Sequence, residues 1–291
     1  MKEICVVHLV RAQNGLEPFI RFLESYRQNC GGFNHDLLIL FKGFDNQRAK
    51  SKHIKLLASF DHKTLDVIDK GFDIMAYFSA VNHYSEQYRY FCFLNSFSVI
   101  LDHDWLNKFY NIISRPNVGL VGATGSWQSL RGNKPLWVLP IQIAFLQYRH
   151  YQGHSFLKRI KRTLNEVWRQ SYFLIAFDRF PNFHIRTNAF MISGELLQQV
   201  KCPKINNKLD TYRFESGSKG LTKQILKIGK KVILVGKNGE GYEKEDWHIS
   251  NIFWQANQKN LLVADNQTRD YQNGTTQRRA HLQRTAWGGI R

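Results

Sequence analysis

The chain has 291 residues, 43% of them apolar and 14% aromatic, and carries 41 Lys and Arg against 23 Asp and Glu for a formal net charge of +18. So much apolar material excludes a globally disordered chain. The charge points to anionic partners, whether nucleotide phosphates, acidic lipid headgroups or nucleic acid.

Residues 4–10 are an apolar run that ends at Arg11, which reads as a first strand and is too short for the apolar core of a signal peptide. Gly15 then introduces an amphipathic helix with Leu16, Phe19, Ile20, Leu23 and Tyr26 at helical spacing. A strand at 36–41, a basic helical stretch around 49–59, a short strand near 65–68 and a helix over 72–84 follow. Residues 88–94 form an apolar, aromatic run that stops abruptly at the polar pair Asn95-Ser96. Such a run predicts a strand covered on both faces, and the C-terminal end of such a strand is where open α/β sheets place ligands. A helix at 102–114, opened by Asp102 and Asp104 as N-cap candidates, and a strand at 118–122 complete this half. Repeated βα units imply a mostly parallel sheet with right-handed crossovers.

Between residues 133 and 180 the pattern changes. Residues 137–148 are an apolar, aromatic helical stretch, and residues 155–172 form a basic amphipathic helix carrying Lys158, Arg159, Lys161, Arg162 and Arg169 beside Phe156, Leu157, Ile160, Leu164, Val167 and Trp168. One reading packs a face of this helix on the protein core; the other lays it on an anionic membrane surface. The α/β pattern then resumes with a strand at 184–192, a short helix at 194–200, a helix at 221–229 and a strand at 231–235. The expected organisation is one domain over residues 1–268, with a helical insertion at about 133–180, and a polar C-terminal tail at 269–291.

Cys5, Cys30, Cys92 and Cys202 form no C-x-x-C pair, and Cys5 and Cys92 lie inside strand-like runs. That suits a reducing cytoplasm better than a disulfide framework. No stretch approaches the ~20 apolar residues needed to span a bilayer. The expectation is a cytoplasmic protein, or one peripheral at the inner face of the membrane. Gly236-Lys237-Asn238-Gly239-Glu240-Gly241 lacks the Gly-Lys-Ser/Thr ending of a phosphate loop, and no metalloprotease, serine-hydrolase or dinucleotide motif is present.

Strand ends nominate the first site residues. His8 and Arg11 close the first strand, where a nucleotide would enter an open sheet, and Arg11 can meet a phosphate. Thr124 and Ser126 flank Gly125 after another strand end, where a glycine turn lets backbone approach a sugar. His184 and Arg186 begin a strand after a proline turn and can contact phosphate or, if the chain transfers a group, the acceptor. Asp265 lies in a polar segment that follows an apolar run and can close over a site.

Four segments, Gly71-Phe72-Asp73-Ile74-Met75-Ala76-Tyr77, Phe93-Leu94-Asn95-Ser96, Gly122-Ala123-Thr124-Gly125-Ser126 and His184-Ile185-Arg186-Thr187-Asn188-Ala189-Phe190, occur in an order that resembles bacterial GT-A-type, family-2-like glycosyltransferases of polysaccharide gene clusters, including the rhamnan-synthesis group. The resemblance covers residues 4 to 265. It implies a GT-A-like, Rossmann-type, mostly parallel sheet flanked by helices, with an inserted helical lobe. It also implies transfer of a sugar from a nucleoside-diphosphate donor to a glycan or polyprenyl-linked acceptor in cell-surface polysaccharide synthesis, with inversion.

By that resemblance Asp73 contacts the base or ribose, a role that coexists with capping a helix, and Asn95 and Ser96 stand at the nucleotide-sugar-binding edge of the donor site. The same likeness implies Mg2+ or Mn2+ near Asn95 and Ser96. Here the sequence departs from the family, because the acid expected between Asn and Ser is missing and neutral oxygens alone suit a divalent ion poorly. Glu215, ahead of the helix at 221–229, matches the position of the catalytic base. Glu245-Asp246-Trp247 is the rival, since it looks like the Glu-Asp-Trp of other family-two enzymes. Two other functions stay open: a degenerate GT-A-like glycan-binding or scaffold protein, and a nucleic-acid binder suggested by charge alone. Dispersed basic residues and aromatics confined to core-like runs argue against the last.

Overall fold

The computed structural model describes residues 1–133 and 155–289. Its centre is a sheet of eight strands: β1 (Lys2–Arg11), β2 (Asp36–Lys42), β3 (Lys63–Val67), β4 (Tyr88–Leu94), β6 (Val118–Gly122), β9 (Ala189–Ser193), β10 (Lys231–Val235) and β11 (Gly241–Tyr242). Two small ribbons add β5 (Val99–Ile100) paired with β12 (Val263–Ala264), and β7 (Gly125–Ser126) paired with β8 (His184–Ile185). The large sheet runs β3-β2-β1-β4-β9-β6-β10-β11. Strands β3, β2, β1 and β4 are parallel neighbours and so are β6 and β10, whereas β9 runs antiparallel between β4 and β6. The α/β class and the mostly parallel sheet are as expected.

The helices are α1 (Glu17–Gln28), α2 (Gln47–Leu56), α3 (Phe72–Tyr84), α4 (Trp105–Ile113), α5 (Phe156–Ala176), α6 (Gly194–Gln199), α7 (Lys208–Ser216), α8 (Leu221–Lys227), α9 (Asn266–Asn273) and α10 (Thr276–Trp287). Strand β1 shows why the sheet needs helices on both sides. Cys5, Val7 and Leu9 enter one core with Ile74, Tyr77 and Ala80 of α3. Ile4, Val6 and Val10 enter a second with Phe19 and Phe22 of α1 and Trp105 and Phe109 of α4. Alternate side chains point to opposite faces of a strand, so a run apolar at every position must be covered twice. The buried, unpaired Cys5 and Cys92 serve as small core residues.

Helix α3 starts on Gly71 at φ +67°, where an added Cβ would lie 1.9 Å from Met75 Cγ. Only glycine meets both demands. This fixes Asp73 in the first turn of α3, within electrostatic reach of Arg11 and Lys42 at the ends of β1 and β2.

Several expectations change. The strand read at 184–192 is two: β8 pairs with β7, and β9 enters the large sheet. The residues after Arg269 are helical rather than a tail, because Leu282, Ala286 and Trp287 of α10 are buried in the main core and Trp287 Nε1 donates to Phe253 O at 2.8 Å. Helix α7 had no periodic apolar signal, since it buries only Phe214 and Ser216. Asp104 holds the N-cap position of α4 without a side-chain capping bond, and Asp102 instead pairs with Lys108. The helical stretch read at 137–148 lies outside the described residues. Among the described residues no helix is long and apolar enough to cross a membrane.

His8 does not face a ligand. It is fully buried on the α1 side of β1, its ring stacked on Phe22 at 3.6 Å and both ring nitrogens without a partner. Residue 8 has the parity of the core-facing residues Val6 and Val10, and Arg11 the parity of Leu9 on the α3 face. Burial holds the His8 imidazole down at about 3. Its unfolded value is near 6.5, so the unfolded chain takes up the proton first. The stability contributed by neutral His8 is complete above pH 6.5 and is lost as pH falls toward 3. In urea titrations against pH, His8→Phe should therefore gain on the parent by about 1.4 kcal/mol per pH unit below pH 6. An unchanged difference across that range would count against a neutral buried His8.

Candidate functional site

The order of strands reverses at β1: the chain passes from β1 to β2 and β3 on one side, then returns to place β4 on the other. Such a reversal opens a crevice beyond the C-terminal strand ends, the usual ligand site of open α/β sheets. Arg11 ends β1 and is paired in register with Lys42, which ends β2. Asp69 carries weak ion pairs to Arg11 at 3.7 Å and Lys42 at 3.9 Å. Lys42 Nζ also donates to the carbonyls of Lys70 at 2.6 Å and Ile68 at 3.2 Å. Burial pushes the Lys42 ammonium down, and Asp69 draws it back up. For Asp73, burial raises the carboxyl while Arg11 and Lys42 lower it and Glu215 raises it further. Asp73, Arg11, Lys42 and Glu215 therefore share one electrostatic environment.

At the end of β4, Asn95 N donates to Asn188 O at 2.8 Å, which locks the Asn95-Ser96 turn to the segment entering β9. Asn95 Oδ1 accepts from Phe97 N at 3.0 Å and Ser98 Oγ at 3.1 Å, and Ser96 Oγ accepts from Asn14 Nδ2 at 2.8 Å. Arg269 Nη1 adds a cation to this turn by donating to Phe97 O at 3.2 Å. Burial and Arg21 push the Arg269 guanidinium down.

The neutral oxygens at the proposed metal position are thus already accepting hydrogen bonds. Among the described residues no three His, Cys, Asp or Glu side chains gather as a metal site. A hard divalent ion favours carboxylates, and these residues do not form a cage for one.

Beside this turn lies a buried polar chain. Arg186 Nη2 pairs with Asp265 Oδ2 at 2.9 Å, Arg186 Nη1 donates to Thr124 Oγ1 at 3.3 Å, and Thr124 Oγ1 donates to Asn188 Oδ1 at 2.6 Å. The Arg186 guanidinium also lies 4.5 Å from the Phe253 ring centre. Asp265 N-caps α9 through Thr268 N at 2.8 Å, so its carboxylate is doubly engaged and is not open as a ligand.

Next to this chain is a cavity of about 380 Å³ whose walls include Ser126, His184, Arg186, Tyr212, Glu215 and Trp254. The β7–β8 ribbon brings Ser126 into register with His184. Glu215, near the end of α7, is oriented by Thr187: its Oε2 accepts from Thr187 N at 2.7 Å and Thr187 Oγ1 at 2.6 Å. Its Oε1 has no hydrogen-bond partner among the described residues. His184 bonds through Nδ1 to Asn182 O at 2.8 Å. Burial pushes the His184 imidazole down, and the nearby Glu215 draws it back up.

The structure therefore gathers Arg11, Asp73, Asn95, Ser96, Thr124, Ser126, His184, Arg186, Asp265 and Glu215 around the C-terminal strand ends and the adjoining cavity. Glu245 and Asp246 stand apart. Both are exposed, Glu245 pairs with Lys244 at 3.3 Å, and neither lines the cavity that holds Glu215. Sequence reading missed Asn14, Lys42, Thr187, Asn188 and Arg269. Lys42 had a signal, as a cation closing an apolar strand one unit after Arg11, and Thr187 and Asn188 lie in the segment 184–190 that carried the resemblance.

No family model matches the chain, and no curated protein matches it in sequence. Among solved structures it is similar to the mannosyltransferase PcManGT from Pyrobaculum calidifontis in complex with GDP-Man and Mn2+, at 12% identity, covering 86% of this chain and 60% of that one, with a TM-score of 0.46. It is also similar to the mannosyltransferase Ktr4p from S. cerevisiae, at 12% identity over 73% of this chain and 59% of that one, with a TM-score of 0.37. A third is TarS from S. aureus in complex with UDP-GlcNAc, at 9% identity over 41% and 33%, with a TM-score of 0.33.

Removing one partner of a buried ion pair leaves the other charge uncompensated. Arg186→Met should lower unfolding stability by about 3–5 kcal/mol in urea denaturation. A loss below about 1 kcal/mol, the range of exposed pairs, would show that Asp265 is satisfied without Arg186.

Proposed function

We propose that the chain is a GT-A-like glycosyltransferase that moves a sugar from a nucleoside-diphosphate donor to a glycan or polyprenyl-linked acceptor, with inversion, in cell-surface polysaccharide synthesis. The observation that carries this reading is Glu215: one carboxylate oxygen is anchored by Thr187, and the side chain lines a cavity beside the cation-rich strand ends. A general base must be oriented and still have an oxygen for the acceptor hydroxyl. The likeness to the rhamnan-synthesis group rests on the four sequence segments alone.

In this reading the donor's diphosphate lies at the ends of β1 and β4. Arg11 and Lys42 stabilise the charge that grows on it as the glycosidic bond breaks, and Asp73 receives base or ribose hydrogen bonds. Mg2+ or Mn2+ would take most of its oxygen ligands from the donor's phosphates and water, as small divalent ions do, rather than from a protein cage. Glu215 takes the acceptor proton, and His184, Arg186 and Ser126 line the acceptor side.

One observation favours a second reading, a glycan-binding or scaffold protein that has lost transfer. No carboxylate follows Leu94, and the Asn95 and Ser96 oxygens are engaged within the protein.

A thermal-shift screen of UDP, GDP and dTDP, with and without Mg2+ or Mn2+, separates the two. A true donor nucleotide at a hundredfold excess over Kd adds about 2.7 kcal/mol to native stability. With the donor so identified, Glu215→Gln should keep the nucleotide shift and lower sugar transfer by about 10²–10⁴-fold. Full transfer by that variant would remove Glu215 as the base. Silence with every nucleotide alongside measurable glycan binding would favour the second reading.

A further inference from the structure

Helix α5 presents the wrong face to solvent for an ordinary surface helix. Glu166, Gln170 and Leu174 are buried, whereas Leu157, Leu164, Trp168 and Ile175 are 78%, 63%, 62% and 80% exposed. These four stand at i, i+7, i+11 and i+18, which at 3.6 residues per turn is a single line along the helix. Surface helices normally turn such a line to the core. Exposed Lys158 and Lys161 lie on the same helix. The stripe does not end with the helix. Ile175 also lines an apolar groove of about 860 Å³ with Tyr172, Val200, Pro203 and Ile228, and the exposed Lys201, Lys219 and Lys227 share its walls.

We propose that α5 and this groove form a docking face for an anionic lipid bilayer surface. Charge selects the occupant. An apolar stripe with basic flanks lies in the headgroup region, its apolar side chains at the acyl boundary and its lysines on acidic headgroups. Tryptophan favours that interface, where Trp168 would sit. A second copy of this chain is the rival occupant, and a net charge of +18 on each copy opposes its approach. The inference does not depend on sugar transfer, since the face lies on the opposite side of α7 from the Glu215 cavity: Arg213 lines the groove and Glu215 the cavity.

The test is co-sedimentation of the full chain with phosphatidylcholine vesicles, with and without phosphatidylglycerol, at low and high salt. The chain should sediment with the anionic vesicles and be released by salt. Leu164→Glu and Trp168→Glu should abolish binding, and Lys158→Ala and Lys161→Ala should each weaken it about fivefold. The altered side chains are exposed, so far-UV circular dichroism should match the parent. Failure to bind anionic vesicles, equal binding to neutral ones, or unchanged binding by the glutamate variants would overturn the proposal. So would a parent dimer in light scattering that Trp168→Glu turns into a monomer, because that would make the stripe a self-association face.

Discussion

Everything at the candidate site depends on β9 running antiparallel between β4 and β6. Its ladder draws Leu94 opposite Ala189, and the bonds just beyond, Asn95 N to Asn188 O and Ala123 N to Ala189 O, tie three separate segments at one sheet edge. Without that wedge Asn95, Thr124 and Arg186 would end on elements with no reason to meet. A sheet covered on both faces resists slippage, because a one-residue shift would turn every core side chain of the strand to the other face.

Electrostatics then divide the site into two kinds of cation. Arg186 is committed: buried, paired with Asp265 and packed on Phe253, it joins α9 to the sheet. Such a pair is weak evidence for added stability and stronger evidence of a fixed arrangement. Arg11 and Lys42 each make only a long contact with the exposed Asp69, and Lys42 is held in addition by the carbonyls of Ile68 and Lys70. A ligand phosphate can compete with an exposed carboxylate at nearly 4 Å far more easily than with a buried one at 2.9 Å. Positive charge thus stands beside an exposed counter-ion at the strand ends and is locked to a buried one beside the cavity.

Local patterns carried much of the fold. The continuous apolar runs of β1, β2 and β4 announced strands, that of β4 one with two covered faces, and α3 and β6 began and ended where the sequence placed them. Patterning failed where an element is stabilised by long-range contacts. Helix α7 is short and mostly polar, and it is held by a capping box at Asn207 and Asp210. Helices α9 and α10 read as a polar tail because a few buried side chains, among them Tyr271, Leu282 and Trp287, do the packing. His8 misled for a simpler reason: a polar residue near a strand end looks functional until its parity is counted.

The sequence by itself determined the long strands β1, β2, β4, β6 and β10, that the sheet is mostly parallel, and that Arg11, Asp73 and Asn95 stand at strand or helix ends facing one edge. These follow from side-chain alternation and from glycine at the start of α3, both of which are local. Only the tertiary structure decided that β9 reverses direction, that Thr187 orients Glu215, that Lys42 joins Arg11, and that α5 turns its apolar stripe outward. Those outcomes rest on pairings between residues tens of positions apart. A linear pattern records what each side chain prefers, and the neighbour that satisfies it exists only once the chain has closed on itself.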